Sequence, residues 1–191
     1  MQMRNLIKEK IAANGYAVGA FVASSSATNC EILAMNGYDF VIIDCEHAQT
    51  DSETAVNMFR ACEMYGMAPM VRVYNPYDGP MMSRLLDVGA HGIMVPLVND
   101  APQAKNIVDN TKYAPVGRRG ATGGRGANGG RGPRWGAYDD YVKVCNDNTL
   151  TFVQCESIEG VNNIEEIAAL PGVDGVFIGT GDLSLEMGLK F

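Results

Sequence analysis

The chain has 191 residues, of which 47% are hydrophobic and 19% charged, and its formal net charge is −7. These values are typical of one globular domain with a substantial core, and the negative charge argues against nucleic acid as a partner. No apolar run reaches the roughly 20 residues that cross a membrane. The N-terminal residues lack the apolar segment of a signal peptide, and the five cysteines have no CxxC spacing. We therefore expect reduced thiols and a cytoplasmic protein.

Apolar runs and amphipathic segments alternate along the chain. The runs predict buried strands at 18–22, 40–44, 69–73, 92–96, 151–156 and 173–178. Helices are predicted near 79–88, 100–111, 136–146 and 160–170. Two capping-box patterns predict further helix starts, Thr28 with Glu31 and Thr50 with Glu53. This alternation predicts a single α/β domain over residues 1–191, with a parallel sheet covered by helices.

The number of strands leaves two architectures open. An eight-stranded α/β barrel usually needs about 250 residues, whereas this chain stops at Phe191, just after the sixth predicted strand. The fold is either an open six-stranded sheet or a TIM (β/α)8-barrel type truncated after the sixth strand. Six strands cannot close with the tilt and shear of eight. We therefore expect a C-shaped sheet with apolar edges, residues 179–184 near its opening, and low stability of the isolated chain.

Polar side chains follow three of the predicted strands. Glu46 and His47 come after the second strand, Glu156 ends the fifth, and Asp182 follows the sixth. In α/β barrels the chemistry lies at these carboxyl ends. Imidazole titrates near neutrality and suits a general base, and two carboxylates suit a hard divalent ion. The alternative for each acid is a helix cap or an ion pair, and for His47 a structural hydrogen bond.

Arg72 lies inside an otherwise apolar strand, and a buried arginine needs an anionic partner. That partner is either a substrate carboxylate or enolate, or the side chain of Asp44 or Glu46. The turn at 179–184, with Gly179 and Gly181, allows the backbone to approach a ligand. None of the lysines falls in a predicted strand or at its carboxyl end, so a covalent lysine mechanism is not expected.

One stretch, residues 117–132, is dominated by glycine and arginine. Its glycine content excludes a helix or a packed strand. It is either a mobile surface loop or an arginine-bearing loop that contacts an anionic substrate. No Gly-Lys-Ser/Thr sequence follows it, so it is not a phosphate-binding P-loop.

Together these residues resemble the HpcH/HpaI aldolase family of metal-dependent (class II) pyruvate aldolases. The matching segments occur in family order along nearly the whole chain: GYDFVIIDCEHA at 37–48, VRV at 71–73, LLDVG at 85–89, YAPVGRRG at 113–120, VQCES at 153–157 and GVDGVFIGTGDLS at 172–184. The sequence departs from the family in having Gly-Thr-Gly at 179–181, in its glycine- and arginine-rich loop, and in lacking the last two strands and helices. The resemblance implies a barrel fold, so we expect the truncated TIM-barrel type.

The resemblance also implies roles for particular residues. It makes His47 the acid/base residue, supported by Asp87, and assigns enolate stabilisation to Arg72. Glu156 and Asp182 would bind the metal, which is Mg²⁺ or Mn²⁺, with Co²⁺ as an alternative. Pyruvate would be held by Gln154, by Gly181 and by the metal ligand Asp182. The family also implies a homo-oligomer.

The expected activity is reversible cleavage of a 4-hydroxy-2-oxo acid into pyruvate and an aldehyde. Its partners would be small 2-oxo acids and aldehydes, without nucleic acid or membrane. Two alternatives remain at this point: a citrate-lyase-like carbon–carbon lyase acting on an acyl-CoA, and a catalytically impaired fragment or binding subunit. The Glu46-His47 pair favours the pyruvate aldolases over the first alternative.

Overall fold

The computed structural model describes residues 1–121 and 129–190, and within them six parallel strands form one sheet in chain order. The strands are β1 (Gly19–Val22), β2 (Phe40–Asp44), β3 (Ala68–Arg72), β4 (Gly92–Val95), β5 (Leu150–Cys155) and β6 (Gly175–Ile178). Each strand pairs in parallel with the next. The expected α/β fold of the TIM-barrel type, with six strands, is confirmed.

Helices precede and connect the strands. They are α1 (Leu6–Asn14), α2 (Ala27–Met35), α3 (Ser52–Met64), α4 (Gly79–Asp87), α5 (Ala101–Thr111), α6 (Tyr141–Asn148), α7 (Ile158–Asn162), α8 (Ile164–Ala168) and α9 (Thr180–Glu186). A short 3-10 turn covers Arg134–Gly136. The segment predicted as one helix near 160–170 is therefore two short helices, which meet at Asn163.

Both predicted capping residues are wrong by one or two positions. Ser26, not Thr28, caps α2 by accepting a hydrogen bond from the Asn29 N–H at 3.3 Å. Asp51, not Thr50, caps α3 by accepting from the Thr54 N–H at 2.8 Å. A carboxylate in the cap position satisfies the free N–H groups as well as a hydroxyl does. The sequence near each helix start therefore contains more than one suitable capping residue.

The two faces of the sheet pack against different partners because successive side chains in a strand point to opposite sides. The outer face packs against the connecting helices through Val41, Ile43, Val71, Ile93, Val95 and Val153. The inner face packs against Ile7 of α1 through Ile42, Met70, Met94 and Leu150. Helix α1, which was not predicted from the sequence, therefore covers part of the barrel interior.

The sheet is curled but open. Within the described residues β1 and β6 do not pair with each other. Nevertheless, the rings of Phe21 in β1 and Phe177 in β6 meet edge-on, with their centroids 5.6 Å apart. The edge strands expose apolar side chains, including Phe21 at 41% and Ile178 at 52%. The expectation of an open, C-shaped sheet is confirmed, and the carboxyl ends of all its strands lie on one rim.

Candidate active site

A cleft of about 380 Å³ opens at the carboxyl ends of the strands. It brings together all but one of the residues proposed from the sequence for catalysis, substrate binding and metal binding: His47, Arg72, Gln154, Glu156, Gly181 and Asp182. Because parallel strands end on the same rim, residues up to 135 positions apart in the chain share this cleft. Asp87 is the exception and lies elsewhere.

Arg72 is held by two carboxylates from the neighbouring strand and its loop. Its Nε and Nη2 donate to the two oxygens of Asp44 at 2.9 and 2.7 Å, and its Nη1 lies 3.1 Å from Oε2 of Glu46. The register that pairs Asp44 with Arg72 across β2 and β3 brings these side chains together. Burial opposes ionisation of Asp44, but the Arg72 bonds and charge dominate and hold the pKa of Asp44 below its usual value.

The ion pair expected as one alternative for Arg72 is therefore formed with both acids. It does not exhaust the guanidinium, which has five N–H groups. Two of them donate to Asp44, and Nη1 forms an ion pair with Glu46, so part of the donor capacity is left for a ligand. Phe21, which sequence reasoning missed, lies against the same group, with the guanidinium carbon 5.0 Å from its ring centroid. The sequence offers one indication of this contact. Side chains alternate between the two faces of a strand, and Phe21 is on the inward face of β1, paired with Ile42.

Glu46 links Arg72 to His47. Its Oε2 is 3.6 Å from Nε2 of His47, whose side chain is 66% exposed. Burial raises the pKa of Glu46 above its ordinary value, and the Arg72 charge only partly opposes this. The imidazole thus has a carboxylate neighbour within its own chain, one residue before it. Glu46 was not among the site residues predicted from the sequence.

Glu156 is buried at the base of the cleft. Its Oε2 accepts the backbone N–H of Leu97 at 3.1 Å, and its Oε1 accepts Nε2 of Gln154 at 2.6 Å. Burial raises the pKa of Glu156, and the negative charge of Asp182 adds to that effect. Each carboxylate oxygen makes one protein hydrogen bond, so each has a lone pair left for a cation. The Oε1 atom of Gln154 is buried and has no hydrogen-bond partner among the described residues.

The turn after β6 brings the last site residues to the cleft. Gly179 precedes α9, and Gly181 and Asp182 lie in the first turn of that helix. The Gly179 N–H bonds the Cys155 carbonyl at 3.0 Å, which draws the end of β6 close to the end of β5. Asp182 lines the cleft beside Glu156.

Asp87 does not reach His47 in this chain. It is the last residue of α4, which ends near the amino ends of the strands, opposite the cleft. There its Oδ1 accepts Nη2 of Arg119 at 2.6 Å. A supporting role for Asp87 towards His47 is not seen within the chain, because a helix that follows a strand returns to the other end of the sheet.

The glycine- and arginine-rich stretch is anchored at that same opposite end. Arg119 pairs with Asp87, and Arg131 binds the Glu63 carboxylate and the Val88 carbonyl. The charges of these two arginines are therefore neutralised by this chain, away from the cleft. The central part of the stretch, including Arg125, lies outside the described residues.

The described lysines do not line the cleft. The one buried lysine, Lys112, lies at the amino ends of β5 and β6. Its Nζ donates to the carbonyls of Asn146 and Thr149 at 3.0 and 2.7 Å and to Oδ2 of Asp174 at 2.7 Å. A lysine bound by three acceptors at that end has a structural role.

Comparison with known proteins identifies this arrangement. The family model of the HpcH/HpaI aldolase/citrate lyase family matches residues 17–191. The chain belongs to the HpcH/HpaI family. It is 36% identical over 188 residues to 2-keto-3-deoxy-L-rhamnonate aldolase of Escherichia coli strain K12, a match that covers 97% of this chain and 68% of the relative.

Two solved structures show the same similarity in three dimensions. The HpcH/HpaI aldolase from Desulfitobacterium hafniense DCB-2 superposes with a TM-score of 0.86 at 30% identity, over 98% of this chain and 70% of the other. Citrate synthase SbnG superposes with a TM-score of 0.82 at 31% identity, over 97% of this chain and 70% of the other. The expected family and the expected aldolase-type carbon–carbon lyase are confirmed.

Among the described helices of this HpcH/HpaI family member, none combines the length and apolar character needed to span a bilayer.

Proposed function

We propose that the protein is a divalent-metal-dependent aldolase that cleaves a 4-hydroxy-2-oxo acid to pyruvate and an aldehyde, and also catalyses the reverse addition. The observation that carries this proposal is the shared cleft of Glu156, Asp182, Arg72 and His47. It combines two hard oxygen ligands, a cation with free N–H groups and an exposed imidazole. Family membership, with aldolases among the similar proteins, supports the same reaction class.

The residues in the cleft fit a hard divalent cation, Mg²⁺ or Mn²⁺. Magnesium in enzymes is commonly held by one or two carboxylates, with the remaining positions left to water and substrate. The described residues contain no cluster of three or more His, Cys, Asp or Glu side chains suited to a metal. The proposed ligands are the carboxylates of Glu156 and Asp182, which line the same cleft. When bound, the cation supplies Lewis acidity towards the 2-oxo group of the substrate.

The other cleft residues hold the 2-oxo acid and the charge that develops on it. Gln154 is fixed by its bond to Glu156 and has an unpartnered oxygen. Gly181 lets the backbone approach the substrate carboxylate without a side chain in the way. Arg72 is held in place by Asp44 and Glu46, so its position is fixed before an enolate forms, the condition for strong electrostatic stabilisation.

His47 is the proton carrier. In the cleavage direction its imidazole accepts the proton of the 4-hydroxyl group, the C3–C4 bond breaks, and the electron pair moves into the 2-oxo acid as an enolate. The imidazolium of His47 then returns this proton to C3, which yields pyruvate and restores the neutral imidazole. The carboxyl group of Glu46 lies 3.6 Å from the imidazole. Such a positioned acid–base group typically contributes about 10²–10⁴-fold to the rate.

We further propose that the protein acts on these small molecules in the cytoplasm as a homo-oligomer. The cysteines Cys30, Cys45, Cys62, Cys145 and Cys155 are all free and buried, as in proteins of reducing compartments. The exposed apolar side chains of the edge strands, such as Ile178, support association.

The first test is exchange of the methyl protons of pyruvate with deuterium, followed by NMR. We expect exchange that requires Mg²⁺ or Mn²⁺ and stops with a chelator. His47→Ala should lose about 10²–10⁴-fold of exchange while retaining metal binding. Borohydride with pyruvate should neither inactivate nor label the protein. Covalent trapping of pyruvate, or cleavage of an acyl-CoA without pyruvate exchange, would contradict the proposal.

A further inference from the structure

A small cavity lies at the amino ends of the strands, on the rim opposite the cleft. Its volume is about 20 Å³, and the residues that line it include Glu63, His91, Arg131 and Arg134. His91 stands directly before β4, and Glu63 belongs to α3. The two arginines belong to the turn where the glycine- and arginine-rich stretch ends. The cavity therefore joins the end of that stretch to the body of the domain.

The two arginines at this cavity share one carboxylate. Nη2 of Arg131 and Nη2 of Arg134 lie 2.5 and 2.9 Å from the same oxygen of Glu63. Among the described residues no other acid pairs with either arginine, and the residues outside that part of the chain include no aspartate or glutamate. Arg4, which also lines the cavity, is paired with Glu9. One positive charge at the cavity therefore has no negative partner.

His91 brings an unused polar atom to the same place. Its side chain is 20% exposed, but its Nδ1 atom is buried and has no hydrogen-bond partner among the described residues. Its other ring nitrogen, Nε2, lies 3.9 Å from Glu63. Burial lowers the pKa of His91 to about 4; the charges of Arg131 and Arg134 act in the same direction, and that of Glu63 opposes them. A buried nitrogen of this kind costs stability until a ligand or water bonds it.

The surrounding backbone fixes the arginines in this position. Nη1 of Arg131 donates to the Val88 carbonyl at 3.1 Å, and a Cβ atom on Gly89 would lie 2.2 Å from that same Nη1. Gly89 also has a φ of 108°, which favours glycine. Arg134 and Trp135 have φ values of 55° and 51°, which are unfavourable for residues with a side chain. Such conformations persist where the surroundings hold them and are frequent in ligand clamps.

We infer that this cavity binds a small inorganic anion, chloride, between Arg131, Arg134 and His91. The volume of the cavity accommodates one particle of the size of a water molecule, and a chloride ion is only slightly larger. Sulfate, phosphate and organic carboxylates are too large. The guanidinium groups supply N–H donors, and the anion balances the charge that Glu63 leaves uncompensated. The bound ion thereby fastens the end of the glycine- and arginine-rich stretch to α3 and β4.

Binding of the anion is coupled to protonation of His91. In the imidazolium form both ring nitrogens donate, Nε2 towards Glu63 and Nδ1 towards the anion. The negative charge of the anion raises the pKa of His91 from about 4 towards its ordinary value of 6.5. Because the bound form then takes up a proton, the affinity for chloride increases as pH falls. If the pKa reaches its ordinary value, chloride binds about tenfold more tightly at pH 5.5 than at pH 8.

The first test measures Tm as sodium chloride replaces sodium gluconate at constant ionic strength. Gluconate is too large for the cavity, so it controls for the general effect of salt. We expect Tm to rise with chloride by about 2–4 °C and then to saturate. The half-saturating concentration should be about tenfold lower at pH 5.5 than at pH 8. Equal Tm values in the two salts, or a half-saturating concentration that does not change with pH, would overturn the inference.

Two variants assign the effect to the cavity. Arg134→Gln removes the uncompensated charge and should abolish the rise of Tm with chloride. His91→Asn keeps an N–H donor near the position of Nδ1 but cannot be protonated, so chloride binding should become weak and independent of pH. Arg118→Gln, at a side chain that is 83% exposed, is the matched control and should respond to chloride as the wild type does. If Arg134→Gln folds poorly, His91→Asn alone decides, and a pH dependence that persists in it contradicts the inference.

Bromide locates the ion directly. Crystals of the wild type soaked in sodium bromide should give an anomalous scattering peak within hydrogen-bond distance of Arg131 and Arg134, and crystals of Arg134→Gln should lack it. A cavity occupied only by water, or bromide bound only elsewhere on the surface, would show that the site does not bind the anion. Neither experiment uses pyruvate or a divalent metal, so the outcome is independent of the proposed function.

Discussion

The carboxylate of Glu156 occupies the space that a side chain on Gly179 would need. An ideal Cβ atom on Gly179 would lie 2.3 Å from both Cγ and Oε1 of Glu156. The φ angle of Gly179 is −85°, which any residue can adopt. The glycine is therefore required by the close approach of β5 and β6 and not by an unusual backbone conformation. It keeps the buried acid in the cleft, facing Asp182.

We predict that Gly179→Ala weakens metal binding while the fold is retained. The added methyl group must displace the Glu156 carboxylate, and a displaced ligand should cost about 10–100-fold in metal affinity. Calorimetric titration with Mn²⁺ and the pyruvate exchange rate measure the effect. Gly120→Ala is the control, since a Cβ atom there meets nothing within 4 Å. An equal loss in both variants would contradict this explanation.

The raised pKa of Glu156 predicts a pH-dependent stability of the metal-free protein. A carboxyl group whose pKa is raised in the folded state contributes stability below its unfolded pKa of 4.5, and this contribution is lost as pH rises through the folded value. Glutamine does not ionise, so metal-free Glu156→Gln should be more stable than the wild type by about 1 kcal/mol at pH 7. The difference should vanish near pH 4.

Thermal unfolding of the metal-free proteins at several pH values checks this prediction. Added Mg²⁺ should reverse the order at pH 7, because only the wild type retains both carboxylates. Glu166→Gln, a change of an exposed residue, is the matched control. If metal-free Glu156→Gln were less stable than the wild type at pH 7, the prediction would be wrong. The cost of burying the Glu156 charge would then be fully offset by its hydrogen bonds.

The pair formed by Arg72 and Asp44 predicts the opposite pH dependence. Because the pKa of Asp44 is held low, its contribution to stability is present above its unfolded pKa of 3.8 and is lost as pH falls through the folded value. Arg72→Met leaves this buried carboxylate without its cation, which should cost about 3–5 kcal/mol at pH 7. The cost should shrink below pH ~4, where Asp44 becomes protonated in the variant.

Urea unfolding between pH 3 and pH 8 measures that cost. Arg118→Met, at a side chain that is 83% exposed, should change stability little and serves as the control. If the loss in Arg72→Met were constant across this pH range, the pairing with Asp44 would not be its cause.

Lys112 predicts a purely structural effect. Its side chain is 2% exposed, and its three acceptors come from the end of α6, from the residue before β5 and from Asp174 before β6. Lys112→Met removes these bonds and should destabilise the protein by about 3–5 kcal/mol. Lys143→Met, at a side chain that is 76% exposed, is the matched control.

Pyruvate exchange at a temperature where the Lys112→Met protein remains folded should equal that of the wild type. A selective loss of exchange without a loss of stability would assign Lys112 a role in the chemistry and would contradict the structural explanation.

The strands and the cleft were predictable from the sequence for a local reason. A parallel strand that is covered on both faces is a continuous apolar run, so β2 was predicted at its observed bounds and the start of β6 was off by only two residues. The carboxyl ends of parallel strands share one rim. The polar residues after those runs, His47, Glu156 and Asp182, therefore had to come together in one cleft.

Helix α1 and the capping residues were not predictable in the same way. The apolar side chains of α1, such as Ile7, are buried only because the sheet curls and leaves an interior to be filled. At the start of α3, Thr50 and Asp51 are both good capping residues by type. The choice of Asp51 followed from tertiary structure, in which Thr50 bonds Ser25 across the neighbouring loop.

The sequence by itself determined the strand order, the rim that carries the chemistry and the types of group available there. Only the tertiary structure decided which charges pair: Arg72 with Asp44, 28 residues away, and Arg119 with Asp87, 32 residues away. It also brought Phe21 to Phe177 across the open sheet. Such partners depend on the curvature of the sheet and on the direction in which each helix returns, and no local pattern of residues encodes those distances.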